Sequence, residues 1–261
     1  MGARPLRDSR SEPGETRRRS PTASRWSVIA DRTVYFGHQS LGSGIIAAVE
    51  KLKGEHALPI RVVHTREPAT VTGPAFVHFL AGQSRDYASK NAALLRLLES
   101  RTRAPRPVVV LKYCHTDINS AVDSARMFEA YRDMVDAIHF EHPDVTVVHT
   151  TIPLTTVESA FRWRAKQFLG RPTRREAAVA RHRYNQLVRG EFSATGPIFD
   201  LAKVEAMQPD GMLVGFTADG CVIETLAPAN TSDGGQLNVR CQRAAAKALL
   251  NVLSEVVEAN T

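Results

Sequence analysis

The chain has little cysteine, few aromatic residues and no long apolar run. Its three cysteines, Cys114, Cys221 and Cys241, are odd in number, far apart and form no C-x-x-C pair. That excludes a disulfide scaffold and fits a reducing compartment, so a cytoplasmic location is expected. No stretch approaches the roughly 18 apolar residues needed for a membrane helix, so no span is expected. No internal repeat is visible. Histidine also runs out early: all nine lie at or before His182, leaving the C-terminal third without an imidazole. What is present suffices for a folded body. With 43% hydrophobic residues in 261, the chain can bury one sizeable core, and disorder throughout is excluded.

The net charge of +7 is unevenly spread. Residues 1–30 carry seven arginines against Asp8, Glu12 and Glu15, which puts +4 of that charge in one short segment. We read residues 1–30 as a disordered Arg-rich leader and 31–261 as a single domain. The run Arg17-Arg18-Arg19 resembles a twin-arginine signal, but Ser20 to Arg25 interrupt any following apolar segment, so no export signal is expected. The remaining body is only mildly basic, and no nucleic-acid partner is expected.

From residue 33 onward, short β-branched runs alternate with longer amphipathic ones, the pattern of a parallel sheet between helices. Strands are predicted at 33–37, 60–64, 108–114, 145–151 and 198–201, about five in all. Helices are predicted at 44–53, 88–100, 120–141, 174–191 and 237–258. The stretch 207–231 reads as an excursion, with a small hairpin. The fold class is α/β, a three-layer α/β/α sandwich. In such sheets ligands sit beyond the carboxyl ends of the strands, and there the sequence gathers polar groups: Gly37-His38-Gln39-Ser40, His64-Thr65, Cys114-His115-Thr116-Asp117 and His149-Thr150-Thr151.

Ser40 follows the first strand and precedes a helix, where helix N-terminal amides can stabilise an alkoxide and a nearby oxyanion. Taken alone, it reads as well as an N-cap or turn serine. Near the other end, Asp233-Gly234-Gly235-Gln236-Leu237-Asn238 leads into the last helix, and Asp233 reads as well as a helix cap.

These blocks resemble the SGNH/GDSL hydrolases, in a branch whose first block reads GHQS-x-G. The resemblance covers about residues 33–255. It matches Gly37, Ser40 and Gly42 in the first block, Gly82 in Phe79-Leu80-Ala81-Gly82-Gln83, and Cys114 to Asp117 in the third. Phe199-Asp200-Leu201-Ala202 is also similar. The resemblance implies a flavodoxin-like SGNH-hydrolase fold, Ser40 as nucleophile, Gly82 in the oxyanion hole and Asp233 as triad carboxylate. Three positions depart from the pattern. Gln236 stands in place of the catalytic histidine, Thr116 in place of the oxyanion-hole asparagine, and Cys241 in place of a glycine.

A glutamine amide cannot take a proton from serine, so any base must come from another loop. His38, His64, His115 and His149 are the candidates, and His115, with Asp117 two residues on, is the first to test. A structural or solvated role is the plain alternative for each. The chain is expected to be a serine ester hydrolase or acyl-transfer enzyme acting on a small acyl ester, or a binding protein that kept the pocket. No cofactor and no metal are expected. The histidines leave zinc open as a lesser alternative, and Gly42-Ser43-Gly44-Ile45-Ile46-Ala47 leaves a dinucleotide fingerprint, though four residues separate it from the strand. Arg162, Arg164, Arg171, Arg174, Arg175, Arg181 and Arg183, with Phe161, Trp163 and Phe168 interleaved, read as a solvated helix face, an anion grip or a lid.

Overall fold

Four of the strands are so apolar that they can only lie between two layers. A computed structural model describes residues 25–102, 106–119, 121–170 and 173–259. The strands are β1 (Thr33–His38), β2 (Val62–His64), β3 (Ala75–Leu80), β4 (Val108–Leu111), β5 (Thr146–Thr150) and β6 (Ile198–Phe199), followed by β7 (Gly215–Ala218) and β8 (Cys221–Glu224). The helices are α1 (Ser40–Glu55), α2 (Tyr87–Ser100), α3 (Ser124–Glu141), α4 (Ala160–Phe168), α5 (Arg175–Phe192), α6 (Leu201–Ala206) and α7 (Val239–Ala259).

The first six strands form one parallel sheet in the order β2-β3-β1-β4-β5-β6. That is six strands, one more than expected. The additional one is β3, whose apolar run Ala75 to Leu80 is broken by His78. The hairpin expected within 207–231 is β7-β8, an antiparallel pair set apart from the main sheet. Without the short edge strand β2, the order is that of a doubly wound flavodoxin-like sheet, and the order in which strands are added reverses between β1 and β4.

Side chains on the two faces of the sheet build two apolar layers. Val34, Phe36, Val110 and Val148 pack against Ile45 and Val49 of α1 and Leu249 and Leu253 of α7. Tyr35, Val77, Val109 and Val147 face α2, α3 and α5 through Leu94, Met134 and Val188. Asp86, Asp123 and Asp200 cap α2, α3 and α6 by accepting from backbone amides. Asp200 also takes two hydrogen bonds from the Arg189 guanidinium at 2.9 Å, which explains the Phe199-Asp200-Leu201-Ala202 block as a clamp between α5 and α6.

The expected leader falls mostly outside the described residues. At its end, Trp26 and Ile29 are buried against the α1/α7 layer, so the packed body begins before residue 31. The helix expected from Ser120 starts at Ser124, after Asp123, and Ser120 itself lies outside the described residues.

Candidate functional site

The switch point places two loops side by side at the carboxyl edge: the one leaving β1 and the one leaving β4. Gln39 is the N-cap residue of α1, so Ser40 occupies the first helical turn and is not the cap. The Gln39 amide donates to the carbonyls of Ala81 and Gly82 at 2.9 and 3.0 Å, tying the β1 turn to the β3 loop. Gly82 has φ +58°, and a Cβ there would come within 2.6 Å of the Lys90 backbone nitrogen. Glycine is therefore required where the β3 loop closes on α2.

The loop after β4 is held by a buried ion pair. Lys90 Nζ lies 2.8 Å from Asp117, both side chains fully inaccessible, and Asp117 also accepts from the amides of Cys114 and Arg85. Asp117 thus locks the loop that carries His115 and Thr116. Thr116 Oγ1 is 3.4 Å from Ser84 Oγ, which brings the two expected oxyanion-hole segments together.

The cleft beyond this loop, about 440 Å³, is lined by His115, Asp233, Gln236, Arg174, Arg181 and Thr155, among others. Three of the expected site residues, His115, Asp233 and Gln236, therefore share one cavity. Burial, with Arg181 and Lys112 nearby, pushes the His115 imidazole down to about 4, against the opposing pull of Asp117 and Asp233. His115 Nδ1 is buried without a hydrogen-bond partner. Asp233 is not the helix cap. Its Oδ1 accepts from the amides of Gly235 and Gln236, closing its own turn, and these bonds hold its carboxyl below the usual range. Asn238 caps α7 instead, accepting from the Cys241 amide at 3.0 Å.

The other histidines divide. His38 Nδ1 bonds the Gln39 carbonyl at 2.8 Å and its Nε2 meets His78 Nδ1 at 3.2 Å, while His64 stacks on His78 with ring centroids 4.8 Å apart. This three-ring ladder lies across β1, β3 and β2. His149 is structural: it stacks on Phe192 at 3.6 Å and bonds the Tyr131 hydroxyl at 2.9 Å. Among the described residues, no group of three His, Cys, Asp or Glu is arranged to hold a metal. The glycines of the G-x-G-x-x-A stretch are explained by packing, since a Cβ at Gly42 would strike His38 and one at Gly44 would strike Gln242.

The arginine-rich stretch also divides. Arg181 is buried in the cleft, Arg175 lies over the rings of Trp163 and Phe216 at 4.6 Å, and Phe161 and Phe168 of α4 are almost fully exposed. Arg171 lies outside the described residues. Two groups absent from the sequence reading are also buried here. Lys112 is fully inaccessible and donates to the Tyr113 carbonyl, and Glu205, on α6, accepts from the Leu154 amide. A lysine directly after Val-Val-Val-Leu was a readable signal for the first. Nothing local marked the second.

No known sequence family matches the chain, and no curated protein matches it. Among solved structures, a GDSL-like lipase from Bacteroides thetaiotaomicron VPI-5482 superposes with TM-score 0.50 at 12% identity, covering 89% of this chain and 90% of that one. An acetyl xylan esterase matches at TM-score 0.47 and 14% identity over 84% and 98%. The OSK domain of Drosophila Oskar matches at 0.43 and 10% over 92% and 99%. The chain has the α/β fold of the GDSL-like lipase, with a central six-stranded parallel sheet flanked by helices.

Proposed function

We propose that the chain is an SGNH-like serine ester hydrolase or acyl-transfer enzyme with an atypical triad, acting on a small acyl ester. Ser40 attacks the acyl carbon, His115 takes the serine proton, and Asp233 supplies the negative charge that favours the imidazolium. The observation that carries this reading is the presence of His115 in the same cleft as Asp233 and Gln236, so that an imidazole enters the cavity where the family histidine is missing.

The chemistry runs in two stages. As the Ser40 oxygen bonds the acyl carbon, its proton passes to His115, and the tetrahedral oxyanion faces Gly82, Thr116 and the Ser40 amide. The C–O bond to the alcohol then breaks, and that proton goes to the leaving oxygen. Water or a second alcohol reverses the sequence on the acyl-enzyme. His115 is neutral at pH 7 and so is free to accept, yet two cations oppose its charging. Turnover is therefore expected to be slow.

That same opposition favours a second reading, in which the cleft binds an ester or acid without turning it over. Hydrolysis of p-nitrophenyl acetate by the wild type, Ser40→Ala, His115→Ala and Gln236→His, with folding checked by circular dichroism, separates the two. The hydrolase reading expects Ser40→Ala and His115→Ala to fall by about 10²-fold or more. A silent wild type awakened by Gln236→His establishes the binding reading, and activity indifferent to Ser40→Ala overturns the serine mechanism.

A further inference from the structure

An arginine removed from water needs a counter-charge, because an unpaired buried cation costs several kcal/mol. Arg181 is 3% exposed. Its Nη1 donates to the His115 carbonyl at 3.2 Å and its Nη2 to Thr155 Oγ1 at 2.8 Å, both neutral acceptors. Its Nε is buried with no partner, and among the described residues no carboxylate forms a salt bridge with it. The carboxylate acting on it from within the fold is Glu205, which Lys112 shares. Lys90 and Asp117 neutralise each other. Arg181 therefore shares its one unpaired carboxylate with Lys112, whose own charge burial disfavours. Burial pushes Glu205 up to about 7, so even that charge is partial near neutrality. A positive surplus lies behind the cleft.

The opening adds to it. Arg174, the residue before α5 and two turns ahead of Arg181, is exposed and lines the same cleft. Asp233 lines the same cleft with its carboxylate held in the charged form by the amides of its own turn, so the lining sets two arginines against one carboxylate. The volume, about 440 Å³, falls within the range of small-ligand sites.

We infer that the cleft takes a small oxyanion, a carboxylate or phosphate group carried by the ligand a few bonds from its ester, with Arg181 and Arg174 as its cationic partners. Its placement on an ester rests on the proposed function; the anion site itself does not. A guanidinium with free N–H groups suits either oxyanion, and the missing counter-charge is supplied when the ligand enters.

The test measures thermal stabilisation of the wild type by methyl hydrogen succinate and by inorganic phosphate, each against chloride at equal ionic strength. At 100 times the dissociation constant a ligand of the folded state stabilises it by about 2.7 kcal/mol, a readily measured rise in Tm. One or both anions should raise Tm where chloride does not; succinate alone identifies a carboxylate, phosphate alone a phosphoryl group. Arg181→Gln should abolish the effect. Because that variant removes a buried contact, Arg174→Ala at an exposed position provides the second arm and should weaken binding at least threefold. Ser40→Ala should bind as the wild type does. No stabilisation of the folded wild type, or wild-type affinity in both arginine variants, overturns the inference. Ser40-dependent hydrolysis of a neutral ester with no anion binding removes the anion site and leaves the hydrolase; anion binding with no hydrolysis by any variant does the reverse.

Discussion

His115 shows how far surroundings alter a side chain. With its pKa lowered to about 4, chiefly by burial and then by Arg181 and Lys112, it is in its proton-accepting form across the neutral range. If it serves as the base, kcat/KM should stay level above about pH 5 and fall only near 4, where an ordinary histidine enzyme falls near 6.5. Arg181→Gln removes an opposing cation and should move that limb upward; a limb near 6.5 in the wild type rules His115 out. The Lys90–Asp117 pair belongs to the same scale. Asp117→Ala strands a fully buried ammonium and should cost about 3–5 kcal/mol in urea unfolding, with Lys90→Met/Asp117→Leu costing less than the single changes combined.

Among the elements, α7 and β3 show what sequence pattern can and cannot place. The amphipathic run 237–258 is long enough to be recognised as a helix on its own, and it is α7. Its cap is Asn238 because the Asp233 carboxylate is spent on its own turn, a competition that residue type does not decide. Asn238→Ala should lower stability by about 1 kcal/mol, measured by thermal unfolding. β3 escaped recognition because His78 interrupts its apolar pattern; pairing with β1 on one side and β2 on the other makes it a strand. The β3 loop depends on Gly82, where alanine would add both left-handed strain and a clash with α2. Gly82→Ala should cost at least about 1–3 kcal/mol. Unchanged stability in that variant would mean that the loop does not close on α2 as described.

At the scale of the whole molecule, titration ties the site to folding. His38, His78, His115, His149 and His182 all have pKa values lowered by burial, so between about 6.5 and 4 the unfolded chain binds more protons than the folded one. Stability should fall as pH falls through that window. Glu205 acts in the opposite sense. Raised from 4.5 to about 7, it keeps its proton in the folded state, and its contribution is lost as pH rises from 4.5 to 7. Five histidines outweigh one carboxyl, so Tm should climb from pH 4.5 to about 6, and Glu205→Gln should remove the loss on the neutral side. A Tm independent of pH between 4.5 and 6 would contradict this balance.

The alternation of short β-branched runs with amphipathic ones determined the layered α/β class from sequence alone, because periodicity and burial are local consequences of residue order. The same order placed Ser40, His64, His115 and His149 just beyond strand ends at one edge of the sheet, while Gly82 and Asp233 entered only through the family resemblance. Their grouping was not legible. His115 meets Asp233 and Gln236, more than a hundred positions away in the chain, in one cleft because β4 lies beside β1 and α7 returns to cover the sheet. His149 looked equivalent to His115 by position after a strand, yet it packs against Tyr131 and Phe192 and does not line the cleft that holds His115. Arg181 was one of seven arginines in a row of similar residues. Only the packing of α5 against the β4 loop buried that one, and a buried charge with no salt bridge among the described residues is a property no single segment possesses.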